Sequence, residues 1–215
     1  MDSVVGIDLS GVSRATKGRT AAAQLSLDDP AQLLEVHPFP YERHPDRTLL
    51  DWIIERRPLV VAIDAPLSLP HSVRCVEPGC PRCRPEDPAY LQRDVDRQAK
   101  GMSMVMIAAI AFRGMYLARA LREIGIPVIE TYPAAAYRAL AATSKRERQA
   151  VLERRLGPFN AGTDDERDAV CAAVVALDYA RGTRRRVPGD DGEIWLPRAE
   201  PPGPGSSQLA SSPGR

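Results

Sequence analysis

The sequence predicts an α/β fold, a mixed sheet with helices on its faces. Three observations carry this. Residues 3–9 and 59–64 are short apolar runs with an aspartate at the C-terminal end, as in strands covered on both faces. The first 40 residues hold three strand-like runs separated by turn residues, a hairpin-type start. After that, helical and strand patterns alternate, which right-handed β-α-β crossovers accommodate.

The elements follow in order. Residues 3–9, Ser-Val-Val-Gly-Ile-Asp-Leu, read as a buried strand. Residues 19–27 alternate weakly and stop at Asp28-Asp29-Pro30, a turn signal. Residues 32–39 suit a third, shorter strand. Asp46 suits the cap of a helix to about Arg57, with Leu49, Leu50, Ile53 and Ile54 on its apolar side. Residues 59–64 form the fourth strand. Residues 70–88 hold five Pro and three Cys, too much proline for regular structure, and read as an insertion after that strand. Residues 89–124 read as helical, with Gly125 at the C-terminal cap. Residues 127–131 are another short strand ending near an acid. Pro133 opens a small helix over 133–141. Ser144 with Glu147, and Thr163 with Glu166, are capping-box patterns for helices to about Leu156 and Arg181. The last helix carries Ala169, Ala172, Ala173, Ala176 and Ala180, a small-residue face able to lie close against a sheet, with Cys171 as a small core residue. Residues 193–196 suggest an edge strand. One domain therefore spans 1–196. From Pro197 to Arg215, 12 of 19 residues are Pro, Gly or Ser, so a disordered tail is expected.

Composition narrows the function classes. With 44% hydrophobic residues, the chain can bury a real core. No run approaches the ~18 apolar residues of a membrane span. The N-terminus lacks the basic and apolar regions of a secretory signal, and four Cys make no disulfide scaffold, so a cytoplasmic protein is expected. A net charge of +1 gives no global case for nucleic acid or an anionic membrane, though a local basic patch remains compatible.

Acids mark the candidate site. Asp8, Asp64 and Glu130 lie at the ends of predicted strands, and the C-terminal edge of a parallel sheet is where ligands of open α/β folds bind. Asp165 and Asp168 are spaced i,i+3 at the start of the last helix. Clustered carboxylates raise one another's pKa, and a hard divalent cation such as Mg²⁺ or Mn²⁺ relieves them. Taken singly, each acid also suits a turn, a helix cap or the positive helix N-terminus. Together they point to a shared metal site.

The segments Gly6-Ile7-Asp8-Leu9-Ser10, Ala62-Ile63-Asp64-Ala65-Pro66-Leu67, Glu130-Thr131-Tyr132-Pro133-Ala134 and Asp165-Glu166-Arg167-Asp168-Ala169-Val170-Cys171-Ala172 resemble domain-of-unknown-function family 429. Arg93-Asp94-Val95-Asp96-Arg97 and Gly192-Glu193-Ile194-Trp195-Leu196-Pro197 look like the same family. That prokaryotic family is described as predicted nucleases of RNase H-like fold. The resemblance covers roughly 3–197. It implies an RNase H-like sheet with helices on both faces, and metal-binding catalytic carboxylates at Asp8, Asp64, Glu130 and Asp168. The Cys/Pro-rich insertion is not part of what the resemblance explains.

His71, Cys75, Cys80 and Cys83 give H-x3-C-x4-C-x2-C, a structural zinc set in its ligand types. Free thiols, or a Cys80–Cys83 redox pair, are the plainer readings. Arg14, Lys17 and Arg19 after the first strand, and Arg93, Arg97 and Lys100 after the insertion, could reach a phosphate beside the acids. Each also suits a solvated surface, and Arg93 with Asp96 an ion pair. Tyr132 could stack on a base, or simply pack.

The leading functional expectation is a divalent-metal-dependent phosphodiesterase, a nuclease acting on nucleic acid or a nucleotide. One alternative is a phosphotransferase related to actin-like ATPases, which would need a second domain or a dimer. The other is a non-enzymatic binding module that keeps the acids as relics.

Overall fold

The structure is a computed structural model and describes residues 1–10, 19–39, 45–83, 86 and 90–199. In chain order the elements are β1 (Ser3–Asp8), β2 (Thr20–Ser26), β3 (Leu33–Phe39), α1 (Pro45–Arg56), β4 (Val61–Asp64), α2 (His71–Arg74), α3 (Asp94–Ala99) and, after a 3₁₀ turn (Met104–Ile107), α4 (Ala108–Glu123). β5 (Val128–Thr131), α5 (Pro133–Ala139), α6 (Lys145–Leu156), α7 (Asp164–Ala180), β6 (Arg185–Gly189) and β7 (Gly192–Leu196) complete it.

All seven strands form one mixed sheet in the order β3-β2-β1-β4-β5-β7-β6. β1, β2 and β3 form an antiparallel meander. β1, β4, β5 and β7 are parallel neighbours, as the crossover rule requires. Side chains alternate between the faces, so each central strand feeds two cores. Val5, Ile7, Val61 and Ile63 pack with Leu49, Ile53, Leu117 and Leu121 of α1 and α4. Val4, Ala62 and Ile129 pack with the Ala- and Val-rich α7, behind which lie α5 and α6.

α7 lies unusually close to β1. A Cβ on Gly6 would stand 1.9 Å from the Ala173 backbone nitrogen and 2.4 Å from the Ala169 carbonyl oxygen. Glycine on the strand and alanine on the helix are therefore two halves of one contact. Cys171 is fully buried within it.

The caps follow the sequence with one variation. Ser144 and Glu147 form the complete capping box. Thr163 Oγ1 accepts from the Glu166 N–H, but the Glu166 carboxylate reaches back to Gly162 N–H at 2.6 Å instead of the cap residue. Gly125 has φ +84, and the bonds from Ile126 N–H to Leu121 and from Gly125 N–H to Arg122 form a Schellman motif.

Three expectations are corrected. The helical region 89–124 is broken: Lys100 turns left-handed at φ 53 and Gly101 N–H donates to the Asp96 carbonyl, which ends α3 before α4 begins. Asp46 lies inside the first turn of α1 and pairs with Arg113. The strand at 193–196 is not an edge. It sits between β5 and β6, and β6 went unseen because Arg-Arg-Val-Pro-Gly has no apolar alternation. The predicted tail lies outside the described residues apart from Pro197–Ala199. No helix of the described residues is long and apolar enough to cross a membrane.

Candidate functional site

The two-residue period of the strands decides which acids meet. Val4 and Ala62 face α7, so Asp8 and Asp64, at the same parity and paired in register, do too. Asp168 projects from the first half of α7 toward them. Burial, together with the negative charges of Asp64, Asp168 and Asp165, raises the Asp8 carboxyl to about 9. Asp64 is also pushed well up, by burial and then by Asp168 and Glu130. Burial raises Asp168 as well. Asp165, one turn earlier on α7, accepts the Arg19 backbone N–H at 2.8 Å.

A divalent cation suits this set on structural grounds. Asp168 Oδ1 is buried with no hydrogen-bond partner. The Arg148 guanidinium stands 3.9 Å away, and the Tyr137 hydroxyl donates to the Arg167 carbonyl at 3.0 Å. A buried carboxylate oxygen without a hydrogen bond, beside two carboxyls held up in pKa, is a donor set that a divalent cation would satisfy. The donors are all hard oxygens, as Mg²⁺ and Mn²⁺ prefer.

Glu130 is placed differently from the other strand-end acids. It pairs in register with Ile63, while Thr131 pairs with Asp64. Its parity is that of Val128, which faces away from α7. There it meets Arg93. Arg93 Nη1 donates to Glu130 Oε2 at 2.9 Å and Nη2 to Oε1, and the Leu67 N–H reaches Oε2 at 2.8 Å. Burial pushes the Glu130 carboxyl up, while Arg93 supplies the countercharge.

Arg93 corrects the expectation of a phosphate-reaching arginine. It is 1% exposed. Nε and Nη2 hold both oxygens of Asp96, the two Nη hold Glu130, and Nη1 also donates to Ser68 Oγ at 2.9 Å. All five donors are committed, so none is left for a substrate. Asp96 matters as the second acid of this buried group; its i,i+3 spacing from Arg93 was visible, its burial was not.

Asp8, Asp64 and Glu130 line a pocket with Pro66, Met102 and Tyr132, and Asp168 lies outside its lining. Tyr132 thus lines the pocket beside the acids. Arg97 does not: it is exposed, pairs with Asp94 and lines a separate cleft with His71 and Arg82. Lys100 is the left-handed cap of α3 and borders another depression, beside Arg138 and Arg185. Arg14 and Lys17 lie outside the described residues. Arg148 was not foreseen, since nothing in a polar helix marks the one arginine that faces Asp168.

His71, Cys75, Cys80 and Cys83 come together beside the cleft that His71 and Arg97 line. One ligand atom from each lies within 4.8 Å of the others. Among the described residues it is the one set of metal-ligating groups drawn that tightly. The set could bind zinc.

Two solved structures share the fold. A Thermus thermophilus RuvC structure is 17% identical, covers 89% of this chain and 99% of its own, and has a TM-score of 0.52. RuvC of T. thermophilus in complex with Holliday junction substrate is 15% identical, covers 90% of this chain and 100% of its own, and has a TM-score of 0.53. At these identities the likeness is one of fold, and the fold is RNase H-like. No curated protein matches by sequence. Residues 6–193 match the family described as Protein of unknown function (DUF429), and the chain belongs to that family.

Proposed function

We propose that this protein is a divalent-metal-dependent nuclease that hydrolyses phosphodiester bonds in nucleic acid. The observation that carries the reading is the convergence of Asp8, Asp64 and Asp168, with a buried oxygen on Asp168 that accepts no hydrogen bond. The fold supports it: the same architecture serves RuvC, one structure of which holds a Holliday junction.

Asp8 would be the central residue holding the cation, since the charges of Asp64, Asp168 and Asp165 all bear on its carboxyl. Asp64 and Asp168 complete the set, and Asp165 adds charge from one turn away. When bound, Mg²⁺ or Mn²⁺ supplies an activated water and neutralises charge on the leaving oxygen. The chain's own residues do the rest. Arg93 holds Glu130, which receives the Leu67 N–H, so the ends of β4 and β5 stay fixed beside the acids. Tyr132 and Met102 give the pocket an apolar flank on which a base or sugar can rest. Glu130 serves as a positioning residue in this reading, since both of its oxygens are occupied.

The test is incubation of the purified chain with Mg²⁺ or Mn²⁺ and a panel of RNA, DNA, hybrid and four-way-junction substrates. Cleavage of at least one, dependent on the cation and lost in Asp8→Asn, is expected. Cleavage that survives Asp8→Asn, or none on any substrate, overturns the proposal. Turnover of ATP by the wild type, without cleavage, would favour a phosphotransferase.

A further inference from the structure

The Cys/Pro-rich insertion has almost no apolar support of its own. Val76 is 95% exposed and Val73 48%, and of its cysteines only Cys80 is buried. Yet its four soft ligands are gathered. His71 opens the single turn of α2 and Cys75 is its C-terminal cap, with the Cys75 N–H on the His71 carbonyl at 2.9 Å. The chain doubles back through Gly79, at φ +73, and Cys80 and Cys83 close a C-x2-C turn with the Cys83 N–H on the Cys80 carbonyl at 3.0 Å.

One pair of donors already stands at the spacing of a small tetrahedral ion, and the others lie near it. Zn–S arms of ~2.3 Å and Zn–N arms of ~2.0 Å require ligand–ligand edges of roughly 3.5–3.8 Å. Cys80 Sγ and His71 Nε2 are 3.7 Å apart, and all four donors lie within 4.8 Å. Three thiolates and one imidazole form a closed, soft set that favours zinc over the oxygen-seeking ions of the acid site.

The turn is also wired to the acid pocket. Arg82, between Cys80 and Cys83, pairs with Asp94 at 3.0 Å and Asp190 at 3.1 Å. Asp94 begins α3, and its N–H donates to the Asp191 carboxylate at 2.9 Å. The preceding residue is Arg93, which holds Glu130 and Asp96. Ser68, which accepts from Arg93, donates its hydroxyl to the Asp191 carbonyl.

We propose that His71, Cys75, Cys80 and Cys83 bind one Zn²⁺ as a structural clip, and that the clip acts through Arg82 to hold the start of α3, with Arg93 and Glu130, at the wall of the acid pocket. Binding free energy at such a site becomes folding free energy for a segment with no core. This assignment is independent of the nuclease reading.

The test uses the full chain, purified under reductant and without chelator. Elemental analysis gives about one zinc per chain. Titrating the zinc-free, reduced protein with Co²⁺ gives the visible absorption of a tetrahedral thiolate site, complete at one equivalent and reversed by Zn²⁺. Cys83→Ser loses the metal, His71→Cys keeps it because four thiolates also hold zinc, and Asp8→Asn keeps it. Removing zinc speeds hydrogen exchange at residues 71–83 and 93–97 and leaves 3–8 unchanged. A wild type with neither zinc nor Co²⁺ uptake, a Cys80–Cys83 disulfide in place of metal, or full zinc in Cys83→Ser overturns the site. Exchange that rises at 71–83 while 93–97 stays protected overturns the clip.

Discussion

Asp8 and Asp64 occupy the same register of two adjacent parallel strands, and the charge of Asp64 adds to burial in holding the Asp8 carboxyl protonated. This single relationship makes the site both strained and receptive to a cation. It also distinguishes Glu130, one register step away and satisfied by Arg93.

The metal-free protein should lose stability as pH rises. The Asp8 carboxyl titrates near 9 in the fold, against an ordinary value of about 4. A raised folded pKa means the folded state holds the proton more tightly. The stability it contributes is whole below about pH 4 and is lost as pH climbs toward 9. Thermal melts of wild type and Asp8→Asn across pH 5–9 check this: the wild-type melting temperature falls relative to the variant. Parallel curves would mean Asp8 is unstrained.

Divalent cations should reverse that loss. A cation that binds only the folded state stabilises it by roughly 2.7 kcal/mol at a hundredfold excess over Kd. The wild-type melting temperature should rise with Mn²⁺ at pH 8. Asp8→Asn should melt no lower than wild type without metal and show little rise with it. A lower metal-free melt with an intact Mn²⁺ response would assign Asp8 a structural role.

Arg93→Ala should destabilise the protein by about 3–5 kcal/mol, since it leaves two buried carboxylates without their countercharge. Arg93→Lys should recover little, because an ammonium cannot reproduce a planar five-donor fork. Urea denaturation measures both. A variant of normal stability with weakened nucleic-acid binding would return Arg93 to the substrate.

Gly6→Ala should cost about 3 kcal/mol or more, at the upper end of overpacking, because the new methyl meets backbone rather than a yielding side chain. Equilibrium unfolding decides this, and a loss under 1 kcal/mol would mean α7 can retreat from β1.

A chain ending at Ala199 should melt like the full one, given the Pro, Gly and Ser content beyond it. Ending at Pro197 should cost about 1 kcal/mol, because the Arg198 N–H donates to the buried Asp178 carboxylate at 2.8 Å. Calorimetry of the two truncations separates them.

Local chemistry was legible in the sequence wherever it is written in neighbouring residues. Short apolar runs at 3–9 and 59–64, the Ser144–Glu147 box, the Gly125 cap and the alanine face of the last helix each state their own conformation, so those strands and helix ends could be read directly. The four soft ligands at 71–83 were equally visible, because their spacing is short. What the tertiary structure alone decided was partnership. Residues far apart in the chain met according to strand register and parity: Asp8 with Asp64 on one face, Glu130 one step out of phase and against Arg93. The polar strand at 185–189 exists because β7 offers it an antiparallel partner. Gly6 is a glycine because a helix beginning at Asp164 presses its backbone there. A sequence records the preferences of each segment, whereas the faces on which segments meet are fixed only when the whole sheet closes its hydrogen bonds and both cores pack against it.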